Sequence, residues 1–319
     1  MERTLRNRLT FGPLMLAGLF LMLWFDNAAQ GMTRTWLPRR PDGALSDGIQ
    51  GLGLLILLIV VSPLAVEELA ILFTAERVRP YRIIAGLGSG ALAMHAFLTQ
   101  FLWFQNISTS TLAFIIVFVM LLAALRRAWA KQSQDAIVRM AGTLLATLYL
   151  GGLGWFLMAI RVKHSLHVTP GSAVTHDRFV GSTSLVLMIL VVVKATDIGA
   201  YFGGRALGRH KLIPWLSPGK TWEGLICGVI FSGIIGALFS PHLHHMSTEW
   251  WKGFIISMVL GAIGQVGDLL ESMMKRDAEV KDSGSMIPGF GGVLDVIDSP
   301  LLAAPFAYLL FSFFTHSRL

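Results

Sequence analysis

Nine long apolar runs decide what this chain can fold into. They lie near 9–25, 49–66, 83–104, 107–125, 140–160, 183–203, 223–240, 253–270 and 293–315, with short polar segments between them. A membrane-crossing helix needs about 20 apolar residues, and most of these runs approach that length. In hydrocarbon the backbone amides and carbonyls find no water, so each span must satisfy its own hydrogen bonds, which makes helices the expected form. Composition agrees. The 319 residues are 54% hydrophobic and 14% charged, whereas a soluble domain carries about 25% charged residues. The sequence therefore predicts an all-α, polytopic integral membrane helix bundle of about nine transmembrane helices.

Other composition features narrow the class. The formal net charge is +7, but the basic residues are scattered between apolar runs. That distribution suits topology signals and contacts with anionic membrane lipids, not nucleic acid. Cys227 is the only cysteine and sits in an apolar run, so no disulfide framework is expected. The first run follows Arg3, Arg6 and Arg8 like a signal peptide, yet no small-residue cleavage site follows it, and it reads as a retained helix. Residues 1–180 read as about five N-terminal transmembrane helices. Residues 181–319 read as a C-terminal catalytic transmembrane region.

Lysine and arginine also give an orientation. With a cytoplasmic N-terminus, the inside segments hold 17 of the 26 basic residues and the outside segments 8, with Lys194 inside a span. The positive-inside rule then expects the N-terminus in and the C-terminus out. Both loops richest in chemistry, about 204–222 and 271–292, face the cytoplasm in that arrangement, and the expected location is a bacterial cytoplasmic (inner) membrane.

Ionisable residues in spans are rare and usually face a cavity or a partner. The polar residues inside or beside the spans here are Lys194 and Asp197, then Gln265, Asp268 and Glu271, then Asp295 and Asp298. Lys194 and Asp197 could simply pair with each other. Asp295 and Asp298 are three apart, which puts both carboxylates on one helical face. Two such carboxylates in a low dielectric repel unless one protonates or a cation sits between them. A hard ion with oxygen ligands, Mg²⁺, suits the pair, with Asp268 as a third carboxylate. The competing reading is that they cap free amides at a helix start. Gly289, Gly291 and Gly292 would let backbone amides approach an anion.

Two polar stretches complete the set. In GRHKLIPWLSPGKTWEG, the run Gly219-Lys220-Thr221 fails as a Walker A loop, because that pattern needs glycine where Pro214 stands. Its cations Arg209, Lys211 and Lys220, its hydroxyls Ser217 and Thr221, and the adaptable Gly219 still suit a triphosphate. The bland alternative is an ordinary basic loop. In SMMKRDAEVKDSGSMIPG, Lys275, Arg276 and Lys281 place positive charge beside carboxylates, with Asp282 adding another. Such mixtures serve phosphoryl and nucleotidyl transfer, where the work is positioning and charge neutralisation.

On these residues the chain resembles the CDP-diacylglycerol synthase (phosphatidate cytidylyltransferase) family. Ser272, Lys275, Arg276, Lys281, Asp282, Gly284, Ile287, Pro288, Gly291, Gly292, Asp295 and Asp298 all fall on that family's C-terminal signature. The stretches DIGAYFGGRALGRHKL and SPGKTWEG resemble its other blocks. The likeness covers roughly 190–305; the N-terminal half matches only as a run of membrane helices. Phe290 stands where the family has histidine and Val296 where it has arginine.

The resemblance implies the reaction CTP + phosphatidate → CDP-diacylglycerol + pyrophosphate, and a membrane homodimer with a polar cavity open to the cytoplasm and sideways to lipid. It implies a two-cation centre containing Mg²⁺ on Asp268, Asp295 and Asp298. It puts Ser217, Pro218, Gly219, Lys220 and Thr221, with Lys211, at the nucleotide. Lys220, Lys275, Arg276, Lys281 and Asp282 are the expected catalytic residues. Three other readings compete with this one. A CDP-alcohol phosphotransferase needs a run of four spaced aspartates that this sequence lacks. An ion-coupled transporter would use the intramembrane charges as a relay, but no inverted repeat is visible. A non-catalytic or altered-substrate paralogue would account for Phe290 and Val296.

Overall fold

The computed structural model describes residues 2–37, 48–75, 77–131, 133–162, 183–240, 250–280, 283–284, 286–289 and 291–316. Its helices are α1 (Glu2–Thr33), α2 (Leu52–Ala75), α3 (Arg82–Leu98), α4 (Leu102–Trp129), α5 (Ala136–Thr147), α6 (Leu153–Val162), α7 (Thr183–Leu207), α8 (Trp222–Phe239), α9 (Trp250–Asp277) and α10 (Leu294–His316). A π-helical turn, Leu148–Gly152, joins α5 to α6, so the expected single span near 140–160 is one rod with a widened turn at its middle. Among the described residues, eight helical segments are long and apolar enough to cross a membrane, the rod Ala136–Val162 counting as one. The apolar α3, at 17 residues, is shorter. The chain is a polytopic membrane protein built as a bundle of about nine helices.

Helices run further than the apolar runs that announce them. α2 continues to Ala75 and so includes Glu68, and α9 continues to Asp277 and so includes Glu271, Lys275 and Arg276. Hydropathy falls where a helix leaves the apolar slab, but the backbone hydrogen bonding does not stop there. Lys275 and Arg276, expected in a loop, are therefore residues of the last turns of α9.

The chain divides into two compact units, Met1–Val162 with Asp277–Val296, and Lys163–Arg276 with Ile297–Leu319. In the first, α3 packs against α2, α4, α5 and α6. Gly88 makes this possible: a Cβ there would lie 2.7 Å from Val119 Cγ2 and 2.9 Å from Thr147 Cγ2. A charged pair is sealed in this unit. Arg161 Nε donates to Asp26 Oδ2 at 2.5 Å, and both side chains are 0% exposed. Arg161 also donates to Gln30 Oε1 at 2.9 Å, while Asp26 accepts from the Gly53 amide at 3.1 Å. Arg161 was expected in an outside loop. It is a core residue of α6 instead.

In the second unit α7 and α8 meet through small residues, Gly199 lying against Gly228 and Gly204 against Gly224. The four-residue spacing of Gly224 and Gly228 lets two backbones approach without side chains between them. A Cβ on Gly228 would lie 2.5 Å from the Thr196 carbonyl oxygen. On α9, a Cβ at Gly264 would lie 2.9 Å from Val193 Cγ1, and one at Gly267 would lie 3.0 Å from Ser299 Cα. α9 is thus in contact with both α7 and α10, which gathers the charged residues of three helices.

Between α7 and α8 stands a hairpin that periodicity did not reveal. β1 (Lys211–Ile213) pairs antiparallel with β2 (Ser217–Thr221), with Lys211 opposite Thr221 and Ile213 opposite Ser217. Strands of three and five residues are too short to show an alternating pattern. Glu223, in the first turn of α8, closes the base: its carboxylate accepts from the Arg209 amide at 3.1 Å, the His210 amide at 3.2 Å, and His210 Nδ1 at 2.6 Å.

Candidate active site

The second unit brings three carboxylates together. Oxygens of Asp268, Glu271 and Asp298 all lie within 4.8 Å of one another. Asp268 and Glu271 are one turn apart on α9, and Asp298 comes from α10. Glu271 is 1% exposed and Asp298 2%, so these two carboxyls lie close together and away from water. Two carboxyls so placed share a proton or hold a cation. Three hard anionic oxygens at this spacing fit a divalent ion such as Mg²⁺, with phosphate and water oxygens supplying the remaining ligands.

Cations surround the cluster. Lys220, on β2, lies 2.6 Å from Asp268 Oδ2 and donates to Gln265 Oε1 at 3.1 Å. Gln265 turns its amide nitrogen the other way and donates to Asp197 Oδ1 at 2.6 Å. Asp197 Oδ2 is 3.5 Å from Lys194. On the other side Lys275 lies 3.5 Å from Glu271 Oε1, one turn along α9. Arg276 Nε donates to the Leu216 carbonyl at 3.5 Å, tying α9 to the tip of the hairpin. The result is a continuous polar path, Lys194–Asp197–Gln265–Lys220–Asp268, crossing α7, α9 and β2.

The hairpin residues divide by role. Lys211 donates to the Pro218 carbonyl at 2.7 Å, so it braces the turn. Thr221 is the N-cap of α8, its hydroxyl oxygen accepting from the Gly224 amide at 3.1 Å. Gly219 has open space where a Cβ would be, leaving the backbone beside Lys220 accessible. Ser217 sits opposite Ile213 in the hairpin register.

The middle of the signature segment, Asp277–Val296, belongs to the first unit, and Glu68 of α2 organises it. This buried carboxylate, 4% exposed, accepts from the Val293 amide at 2.9 Å, the Leu294 amide at 2.8 Å and the Ser283 hydroxyl at 3.3 Å. A Cβ on Gly284 would lie 2.5 Å from Glu68 Oε1, so glycine there is what lets the segment close on the carboxylate. Asp295 Oδ2 accepts from the Gly292 amide at 2.7 Å. Three successive amides at the start of α10 are therefore bound to carboxylates of the protein itself. The expectation that this glycine-rich turn presents those amides to an anion is corrected accordingly. Lys281, Asp282 and Phe290 lie outside the described residues.

Sequence reasoning singled out Asp268, Asp298, Lys220 and Lys275, which the second unit gathers. It named Glu271 and Gln265 as polar residues near the eighth span without a role for either. The signal for Glu271 was its place one turn after Asp268 and one turn before Lys275. Glu68 gave no signal, because its partners are more than 200 residues away in the sequence.

A bundle of apolar helices that gathers a carboxylate triad beside lysines defines an integral membrane protein with a charged polar site among its spans. Its relatives are consistent with that class. The chain belongs to the cytidylyltransferase family, whose model matches residues 48–314. It is 47% identical over 143 residues to phosphatidate cytidylyltransferase of Haemophilus influenzae, covering 44% of this chain and 48% of that one. It is 42% identical over 125 residues to phosphatidate cytidylyltransferase of Bacillus subtilis, covering 39% and 46%. It is also 37% identical over 154 residues to Escherichia coli uncharacterized protein YnbB, covering 48% and 49%. The matched regions span about half the length of these curated relatives.

Proposed function

We propose that the chain is a CTP:phosphatidate cytidylyltransferase, with the convergence of Asp268, Glu271, Asp298 and Lys220 as the observation that carries the reading. An oxygen of the lipid phosphate attacks the α-phosphorus of CTP, the bond from that phosphorus to the bridging oxygen breaks, and pyrophosphate leaves. A phosphate monoester has its second pKa near about 6 and is largely dianionic at neutral pH, so no protein nucleophile is required. The task of the protein is to bring two anions into line and to offset the charge that gathers on the leaving group.

Lys220 is the residue that meets the triphosphate. It exchanges Asp268 for a phosphate oxygen when nucleotide enters along the hairpin, and Arg276 holds that hairpin against α9. Asp268, Glu271 and Asp298 would hold Mg²⁺. When bound, the metal supplies charge neutralisation of the phosphates. Lys275 balances Glu271. Asp295 holds the turn before α10 in this reading. The N-terminus and hairpin face the cytoplasm of a bacterial inner membrane, and two copies associate as a dimer. Reporter fusions after Arg209 and Asp277, together with crosslinking, test those two points.

The decisive assay incubates purified chain with α-labelled CTP, phosphatidate and Mg²⁺. Label should pass into CDP-diacylglycerol with release of pyrophosphate, and a chelator should stop it. Absence of labelled lipid with well-folded protein overturns the proposal.

A further inference from the structure

We infer that Lys194 anchors the phosphate of the lipid substrate, a phosphate monoester carried on a diacyl tail. The inference rests on the transferase reading above and adds to it a second anion site.

Lys194 stands eleven residues after the start of α7 and thirteen before its end, about 16 and 20 Å along the axis at 1.5 Å per residue. It is thus a lysine at the middle of a membrane span, where an ammonium ion is costly unless it meets an anion or a polar cavity. Its side chain is nevertheless 44% exposed. Among the described residues its ion pair is with Asp197 Oδ2 at 3.5 Å, longer than a charge-assisted hydrogen bond, which runs about 2.7–2.9 Å. Asp197 is already committed through its other oxygen to Gln265 at 2.6 Å. Lys220 differs on each point: it is 21% exposed and held at 2.6 Å by Asp268 and 3.1 Å by Gln265.

The two lysines belong to the same polar path, with Asp197 and Gln265 between them. Lys220 enters from the hairpin, the side from which a water-soluble triphosphate would come. Lys194 lies one turn before Asp197 on α7. Its neighbour Val193 packs against Gly264 of α9, which directs this stretch of α7 towards the helix that carries Asp268 and Glu271. In-line transfer needs one anion on each side of the reacting phosphorus. Lys220 supplies the nucleotide side, and a half-exposed ammonium inside the span is placed for a phosphate that arrives laterally from lipid.

The test uses the full chain in detergent micelles and two substitutions, Lys194→Met, which keeps length and suits a membrane helix, and Lys194→Arg. Losing one charge-assisted contact should raise KM for phosphatidate roughly tenfold or more in Lys194→Met, leave KM for CTP within twofold, and be largely restored in Lys194→Arg. A second readout is native mass spectrometry of bound ligand, with phosphatidate, phosphatidylcholine, inorganic phosphate and CTP as separate arms. Wild type should retain phosphatidate over phosphatidylcholine, and Lys194→Met should lose that preference without losing CTP. Stronger retention of inorganic phosphate than of phosphatidate would assign the lysine to a free anion and overturn the lipid site. Equal phosphatidate retention by wild type and Lys194→Met, or a matching rise in both KM values, overturns it too. Selective phosphatidate binding without turnover in wild type would sink the transferase reading while leaving the anchor in place.

Discussion

Lys220 Nζ lies 2.6 Å from Asp268 Oδ2, joining the hairpin to the carboxylate cluster on α9. The pair explains how a lysine and an acid cluster can both sit beside apolar helices: each offsets the other's charge. Gln265 holds the lysine from a second side.

Lys220→Ala should therefore weaken use of CTP by roughly tenfold or more, the worth of a lost charge-assisted hydrogen bond, with less effect on KM for phosphatidate. Initial rates with each substrate varied in turn check this. Unchanged CTP kinetics would return the hairpin to the status of a basic surface loop.

Asp298 and Asp295 should respond differently to asparagine. Asp298 is buried against Glu271 within the cluster, so Asp298→Asn should remove most turnover and weaken Mn²⁺ binding measured by electron paramagnetic resonance. Asp295 accepts from the Gly292 amide, a task asparagine performs nearly as well, so Asp295→Asn should retain the larger share of both. Equal loss in the two variants would place Asp295 among the ligands.

Glu68 should prove a stability residue with a selective signature. Glu68→Ala leaves the Val293 and Leu294 amides and the Ser283 hydroxyl without this acceptor, a loss of about 3 kcal/mol or more. Thermal unfolding in detergent measures it. Glu68→Gln keeps the shape and one acceptor oxygen and should fall between wild type and alanine. A melting temperature unchanged in Glu68→Ala would refute the role.

The buried Arg161–Asp26 pair offers a charge-removal test. Taking away one partner strands a buried ion, so Arg161→Met alone should destabilise by about 3–5 kcal/mol. Arg161→Met combined with Asp26→Leu should recover much of that, because neither charge remains. A double variant no more stable than the single would mean that the hydrogen bonds to Gln30 and Gly53 matter more than the charges.

Much of this protein was determined by sequence. Nine apolar runs in a chain with few charges leave helices in a membrane as the only economical form, since lipid offers no hydrogen bonds to anything else. The residues from Ser272 to Asp298 carried the family likeness, because a signature is a local order of residue types and needs no folding to be read. Asp268 and Asp298 stood out because carboxylates beside apolar helices demand a reason. Tertiary structure alone decided which groups meet. Glu271 joins Asp268 and Asp298 because α9 and α10 touch where Gly267 meets Ser299, and the rotation of two packed helices is set by contacts that neither helix contains. Glu68 reaches Val293 and Leu294 across the chain because buried amides at a helix start need an acceptor and a neighbouring helix supplied one. Arg161 left its expected loop for the core because Asp26 of α1 was there to pair with it. Spacing can place two side chains on one face of a helix; only packing decides what that face meets.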